Sequence, residues 1–407
     1  MIRTIVSSVL RASCRSRSRT LSLQLCKRSS KYIIISSSLP VTASRRLSSS
    51  SIQYWNRETS KPQDFDTSMP ITEEARILSL SDPDDTANDP VNKALHDPTL
   101  LPEGAKVLAA GASIEDFDWK ELQKQKPNVV FVSHPLARNT LATMLQELPS
   151  LTWIHARSAG LDFIASDALA QSNVTLSNAK GTFSSTLAEY TLLAVSYFAK
   201  DLPRLLRQKS ETNWERYPIL EVRGATLGVI GYGDIGHACA RLAKAYGMRV
   251  IAVRRNPKSK SDELCDAIYG NDTASLNTVF SESDYVVVST PLTKETRGMI
   301  GREQFEHAKD GTVLINVGRG PIIDEDAMIE ALKNGNLKGA GLDVFSTEPL
   351  PATSELWKLE NVLLSPHNMD ATDTFMLEAT QFFVEENLPR FLRGIPVLNV
   401  ADKAAGY

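Results

Sequence analysis

Acidic residues are missing from the first 57 positions of this 407-residue chain, although 11 of its 45 lysines and arginines lie there; the first acid is Glu58. The other 350 residues hold 34 basic against 48 acidic side chains, a net charge of −14, which excludes binding nucleic acid through its phosphates. Cysteine is scarce: Cys14 and Cys26 fall in the basic leader, Cys239 and Cys265 beyond it. No C-x-x-C pair or Cys/His cluster is present, so no metal site and no redox motif is expected. Long apolar runs are absent too. The richest, Tyr190–Ala199, is 10 residues long and contains Thr191 and Ser196, well short of the roughly 18–20 a membrane helix needs. With 42% apolar residues, and 20 prolines and 21 glycines scattered along the chain, collagen-like, disordered and disulfide-dense classes are also excluded.

The leader itself is rich in Ser and Arg. Arg15, Arg17 and Arg19 interrupt the single apolar block that a secretory signal requires, and Arg45-Arg46-Leu47 resembles a processing region. Residues 1–55 therefore read as an organelle transit peptide, with the mitochondrion as the expected address, the plastid as the alternative, and a basic tail without an address as the plain alternative to both. Residues 56–71, with Pro62 and Pro70, read as a linker.

From Ala75 onward short apolar runs alternate with helical stretches. Candidate strands are Arg76–Leu80, Val107–Ala110, Val129–Ser133, Leu151–His155 and Val174–Ser177, then Thr226–Ile230, Arg249–Val253, Ala267–Tyr269, Tyr285–Ser289, Thr312–Asn316, Gly339–Asp343 and Val362–Leu364. This βαβ alternation predicts two α/β units, each a parallel sheet with helices on both faces. A helix over Asp324–Asn334 has an Asp cap and stops before Gly335. Cys239 falls on a helix at a buried position and reads as packing.

Gly231-Tyr232-Gly233-Asp234-Ile235-Gly236 follows a predicted strand, opens a helix running to Met248, and precedes a second strand. In that context G-x-G-x-x-G is a dinucleotide fingerprint. Gly231 makes the turn, Gly233 lets a pyrophosphate approach the backbone, Gly236 seats the helix on the sheet, and the helix N-terminus offers N–H groups. The second strand ends in Arg254-Arg255, where an NAD site places an acid. A guanidinium pairs with a 2′-phosphate, so NADP(H) is favoured over NAD(H), the alternative being a solvated arginine beside adenine.

Further motifs follow: Ser289-Thr290-Pro291-Leu292-Thr293, Ile315-Asn316-Val317-Gly318-Arg319-Gly320, Gly341-Leu342-Asp343-Val344-Phe345 with Glu348-Pro349, and Ser365-Pro366-His367. Upstream stand Ser158-Ala159-Gly160, Asn178-Ala179-Lys180-Gly181 and Ala188-Glu189. In this order, over about residues 75–400, the chain resembles the D-isomer-specific 2-hydroxyacid dehydrogenases, in particular those acting on glyoxylate and hydroxypyruvate. The resemblance implies two Rossmann-like doubly wound parallel-sheet domains, the cofactor domain (179–370) inserted in a substrate domain (72–178 plus 371–407). It implies helices near Thr182–Lys200 and Phe375–Leu388 at the hinge, and a homodimer.

It also implies an Arg, Glu and His set. Arg319 would hold the substrate carboxylate and polarise the carbonyl, His367 would act as acid and base, and Glu348 would orient the imidazole and favour its protonated form. Backbone N–H groups of Ser158, Ala159 and Gly160 would bind the carboxylate from the other domain. Asp343 and Val317 would contact the nicotinamide end, and Thr290 and Pro291 would line the cofactor cleft. His155 is a minor candidate for substrate contact; Asp162, Lys180 and Glu189 read as structural. After His367 the family has a small residue and then a glycine, whereas this chain has Asn368-Met369-Asp370, which places bulk and charge near the cleft. Glu348 excludes a formate dehydrogenase, which has a glutamine there. The reading is thus an oxidoreductase of small 2-oxo or 2-hydroxy acids; amino or phosphorylated substrates remain open, and the alternative from another class is a non-enzymatic nucleotide sensor on the same scaffold.

Overall fold

The computed structural model describes residues 69–82, 84–85, 89–403 and 405–406. The transit-peptide reading, and all but the last residues of the linker, lie outside the described residues. Two sheets, parallel throughout, organise the rest. The first contains β1 (Ala75–Leu80), β2 (Ala105–Gly111), β3 (Val129–Val132), β4 (Trp153–Ala156) and β5 (Thr175–Asn178) in the order β2-β1-β3-β4-β5. The second contains β6 (Thr226–Ile230), β7 (Arg249–Val253), β8 (Ala267–Tyr269), β9 (Tyr285–Val288), β10 (Val313–Asn316), β11 (Gly339–Leu342) and β12 (Val362–Leu364). Its order is β12-β11-β10-β9-β6-β7-β8. Each order reverses direction once, at β1/β3 and at β6/β9, and in sheets wound this way ligands bind outside the carboxyl ends of the strands at such a reversal.

The strands read as short unbroken apolar runs because both faces are covered: all four residues of β3 (VVFV), β9 (YVVV) and β10 (VLIN) are buried. Predicted strand ends move by one or two residues where side chains intervene. Leu151 and Thr152 stay out of β4 because the Thr152 and Trp153 amides both donate to the Asn128 carbonyl. The predicted helix at 324 is Glu325–Asn334, with the Asp324 carboxylate accepting from the Ala327 amide and Gly335 closing it at φ 84°.

The helix Ser184–Ala199 leads from the first sheet to the second. It packs on the helix Asp234–Ala245, where Cys239, fully buried, donates to Thr191 Oγ1 at 3.5 Å. The chain then returns to the first sheet. Phe383 packs on Phe131 and Trp153 with centroids 4.9 and 5.3 Å apart, and Val400 bridges to Ser177 of β5. The return is not the single helix expected over 375–388. It runs as an α-helix Phe375–Gln381, a π-helical turn Phe382–Asn387 and an α-helix Leu388–Leu392. Pro389 lacks the N–H that would close on the carbonyl four residues back and crowds that turn, so the backbone widens ahead of it.

Candidate active site

The glycine loop joins β6 to the helix Asp234–Ala245, with Gly233 as its N-cap. Gly231 sits at φ 100°, and a Cβ there would lie 2.5 Å from the Thr290 amide nitrogen, so the loop and the end of β9 touch through glycine alone. Ser289 Oγ fastens the same contact by donating to Gly231 O at 2.9 Å. At Gly236 a Cβ would come within 2.5 Å of Gly231 O, whereas at Gly233 it would meet nothing within 4 Å. Open space therefore lies where a pyrophosphate must approach, facing a helix start whose first N–H groups have no partner inside the helix. This cradle fits a dinucleotide.

Not every residue of the loop faces it. Tyr232 is buried; its amide donates to Val253 O at 3.2 Å and its hydroxyl to Asp262 Oδ1 at 3.0 Å. Ile235 packs into the core. Asp234 turns to Lys180, 3.5 Å away. Thr290 borders the glycine loop and Pro291 is exposed beside it, its carbonyl accepting from Thr296 Oγ1 at 2.7 Å. Arg254 and Arg255 stand beyond the end of β7, half-buried and exposed respectively. The acid nearest them in the following loop, Asp262, is engaged by Tyr232 and by the Leu264 amide at 2.9 Å.

The Arg, Glu and His stand after three adjacent strands: Arg319 beyond β10, Glu348 beyond β11, His367 beyond β12. His367 Nδ1 lies 2.7 Å from Glu348 Oε2, and Glu348 Oε1 accepts from the Phe345 amide at 2.9 Å. The bond to Glu348 holds the imidazole above its ordinary pKa, against desolvation and the Arg319 charge. Burial alone would raise Glu348, but His367, the Phe345 amide and Arg319 outweigh it and keep the carboxyl below its usual value. His367 itself takes a left-handed φ of 51°, a conformation disfavoured for side chains of this kind. Asp343, buried, holds that turn: its carboxylate accepts from Ser365 Oγ at 2.8 Å and from the Asn368 and Met369 amides at 3.1 and 3.4 Å. The side chains of Asp343 and Val317, expected at the nicotinamide, are thus buried in the second domain, Asp343 serving the loop that carries His367.

Ser158, Ala159 and Gly160 follow β4 of the first sheet. Their carbonyls are all engaged, by the Ala179 amide (3.3 Å), Asn178 Nδ2 (2.7 Å) and Ser158 Oγ (2.7 Å). Their amides donate to no group among the described residues, which leaves a row of N–H groups suited to an anion. Arg319 reaches this loop: a Cβ on Gly160 would lie 2.0 Å from Arg319 Nη2, and Asp162 Oδ1 accepts from Arg319 Nε and Nη2 at 3.2 and 3.1 Å. Asp162, read from the sequence as structural, therefore touches a central site residue. Arg138, which donates to Asp162 O at 2.6 Å, also supports the site and carried no sequence signal of its own, whereas Asn178, which donates to Ala159 O, opens the Asn178-Ala179-Lys180-Gly181 motif.

One expectation is corrected. His155 does not reach the cleft; it is fully buried between Phe131 and Phe383, bonded to Ser177 Oγ at 2.9 Å, and burial pushes its pKa down to about 3. β4 turns the side chain at 155 into the aromatic layer under the sheet. Met369, half-buried, packs against the hydrophobic core beneath the second sheet while its amide donates to Asp343. Asp370 is half-buried, and burial raises its carboxyl above the usual value, with His367 opposing and Asp343 adding to the shift. Among the described residues, no group of three or more His, Cys, Asp or Glu side chains is placed to hold a metal ion, and no helix is long and apolar enough to cross a membrane.

Comparison with known proteins agrees with this geometry. Residues 192–368 match the family model "D-isomer specific 2-hydroxyacid dehydrogenase, NAD binding domain". A glyoxylate/hydroxypyruvate reductase B of Erwinia tasmaniensis is 36% identical over 238 residues, 57% of this chain and 73% of that one. A D-3-phosphoglycerate dehydrogenase of Archaeoglobus fulgidus is 34% identical over 263 residues; the match takes in 64% of this chain but only 49% of that longer relative. The crystal structure of a D-isomer-specific 2-hydroxyacid dehydrogenase from Xanthobacter autotrophicus Py2, in complex with NADPH and MES, superposes with a TM-score of 0.68 at 29% identity, covering 82% of this chain and 100% of that one. By these matches the chain belongs to the D-isomer-specific 2-hydroxyacid dehydrogenase family.

Proposed function

We propose that this protein reduces small 2-oxo acids such as glyoxylate or hydroxypyruvate to D-2-hydroxy acids. The observation that carries the reading is the 2.7 Å bond between His367 and Glu348 beside Arg319. A nicotinamide dinucleotide held by Gly231–Gly236, Thr290 and Pro291 supplies the hydride in this chemistry. The substrate carboxylate lies between Arg319 and the unpartnered amides of Ser158–Gly160, so the guanidinium also faces the carbonyl and stabilises charge gathering on its oxygen. His367, protonated because Glu348 favours that form, gives its Nε2 proton to that oxygen and recovers it in the reverse direction.

NADP(H) is preferred in this reading. Arg254 is free of any acid partner among the described residues, and Asp262 is already bonded to Tyr232. The working unit is a homodimer in this reading: Leu206, Trp214, Ile219 and Leu220, in and after the helix Leu202–Ser210, are exposed apolar side chains of the kind an interface covers. The leader directs the chain to the mitochondrion, with the plastid as the competing address, and imaging a fluorescent fusion of the full chain with and without residues 1–55 tests this.

The decisive assay mixes the purified protein with NADPH or NADH and a panel of 2-oxo acids and follows the loss of reduced cofactor by absorbance. Turnover that His367→Ala abolishes, with cofactor binding kept, is the expected result. Cofactor binding without turnover on any acid overturns it in favour of the nucleotide sensor.

A further inference from the structure

We propose that Asp162 is a positioning residue for Arg319, so that the guanidinium presents its substrate-binding donors only when the loop after β4 is seated against it. This rests on the proposed role of Arg319 as the carboxylate-binding group. A guanidinium has five N–H bonds. Asp162 Oδ1 accepts one from Nε and one from Nη2, and Gly318 O accepts one from Nη1 at 2.9 Å. Two N–H bonds remain, one on each terminal nitrogen, and these form a fork suited to a carboxylate. Rotation about the bond to Nε would destroy that arrangement, and Asp162 is the group that resists it from the side opposite Gly318.

Asp162 is itself held in place. Arg138 donates to its carbonyl at 2.6 Å, and the three preceding carbonyls of the loop are bonded as described above. The Gly160 backbone supplies the floor: the contact that a Cβ would violate is the one on which Nη2 rests. Arg319 and Asp162 come from different sheets and are 157 residues apart in sequence. Closing the two loops on each other therefore completes the site, whereas separating them frees the guanidinium to rotate. The pair keeps 29% and 45% of its side-chain surface exposed, and ion pairs so open to solvent add little to stability. Orientation, rather than holding the domains together, is what this bond can supply. The two cations of the site thus have the same design: Glu348 sets His367, and Asp162 sets Arg319.

The test compares Asp162→Ala and Asp162→Asn with the parent protein. The asparagine keeps an oxygen where Oδ1 accepts both donors; the alanine keeps nothing. Asp162→Ala should raise KM for the 2-oxo acid at least tenfold and lower kcat/KM thirtyfold or more, with cofactor Kd unchanged and the pH midpoint set by His367 unmoved. Asp162→Asn should recover most of that loss. Kinetics for Asp162→Ala within threefold of the parent overturn the proposal, as does an Asp162→Asn variant that is as poor as the alanine and melts as early. Oxamate quenching of bound NADPH fluorescence reads the carboxylate site without turnover. Binding to the parent and to Asp162→Asn but not to Asp162→Ala supports the positioning role, and equal binding to all three overturns it. A parent protein that reduces no 2-oxo acid while still binding oxamate in this pattern overturns the proposed reaction and leaves the positioning of Arg319 supported.

Discussion

Replacing Glu348 by glutamine tests the proton chemistry most directly. In the native site two donors, His367 Nδ1 and the Phe345 amide, meet the two carboxylate oxygens at 2.7 and 2.9 Å. Glutamine offers a single acceptor oxygen, so it forfeits one of these bonds as well as the charge. A hydrogen bond to a charged group contributes about 1.5–3 kcal/mol, and one pKa unit corresponds to about 1.4 kcal/mol. His367 and Glu348 keep 37% and 34% of their side-chain surface exposed, and solvent screening places the effect at the low end of that range. The imidazole should therefore be less readily protonated in Glu348→Gln. The direction follows from the chemistry. In the proposed reaction reduction requires protonated His367, so it should proceed below the raised midpoint and fail as pH climbs through it; in the variant it should fail at lower pH. Above both midpoints reductive kcat/KM should be about tenfold lower than in the parent, and below both the two should converge. Oxidation of a D-2-hydroxy acid requires the neutral ring and should persist to lower pH in the variant. Initial rates from pH 5 to 9 in both directions read this. A reductive midpoint that stays in place or moves upward refutes the pairing argument.

Replacing Arg254 by serine should raise KM for NADPH about tenfold and leave NADH within twofold, because only the former carries a phosphate for a guanidinium to pair with; equal losses for both cofactors would assign Arg254 to the adenosine they share. If the proposed homodimer forms through this set, the parent should run as a dimer by light scattering and Leu206→Glu combined with Trp214→Glu as a monomer, since these side chains are 59% and 96% exposed in one chain; an unchanged mass would refute the surface. His155, depressed to about 3 by burial, stays neutral when folded while the unfolded chain protonates below pH 6.5. The stability it contributes is complete above that value and is lost as pH falls, by about 2 kcal/mol at pH 5. His155→Phe should flatten the decline in urea midpoint between pH 7 and 5, and an undiminished slope would place the acid sensitivity elsewhere.

Local motifs were legible because their physics is local. The strand before Gly231, the helix after Gly233 and the spacing between them lie within one short stretch, and the Asp324 cap and Gly335 stop act over a single turn. The pairing of Arg319 with Asp162 was not legible, because it depends on where two separate sheets set their loops. Nor was the inward turn of Met369: three neighbouring amides and hydroxyls fold the 365–369 segment around Asp343, and that folding, not the order of residues, decides which side chain meets the cleft. The π-helical turn ahead of Pro389 is a third case. Proline announces an interruption, but its presence alone does not say whether the chain kinks, stops or widens into the turn Phe382–Asn387.

The Arg, Glu and His set itself illustrates how sequence order becomes spatial order in this fold. β10, β11 and β12 are consecutive in the chain and consecutive in the sheet, all running the same way. Adjacent strands lie about 4.8 Å apart, so residues just past three successive carboxyl ends fall within reach of one another without any long excursion. Because these strands and β6 all run parallel, their carboxyl ends share one edge of the sheet, the edge at which the glycine loop after β6 also opens. A substitution within the crossover helix Glu325–Asn334 acts through the strand ends or through Glu325, whose carboxylate accepts from the Ser346 amide at 3.0 Å in the loop that carries Glu348. A change in the loop after β4, which belongs to the other sheet, acts on Arg319 by direct contact. The 158–162 loop is thus the part of the first sheet's carboxyl edge that acts on Arg319 directly, through Gly160 and Asp162.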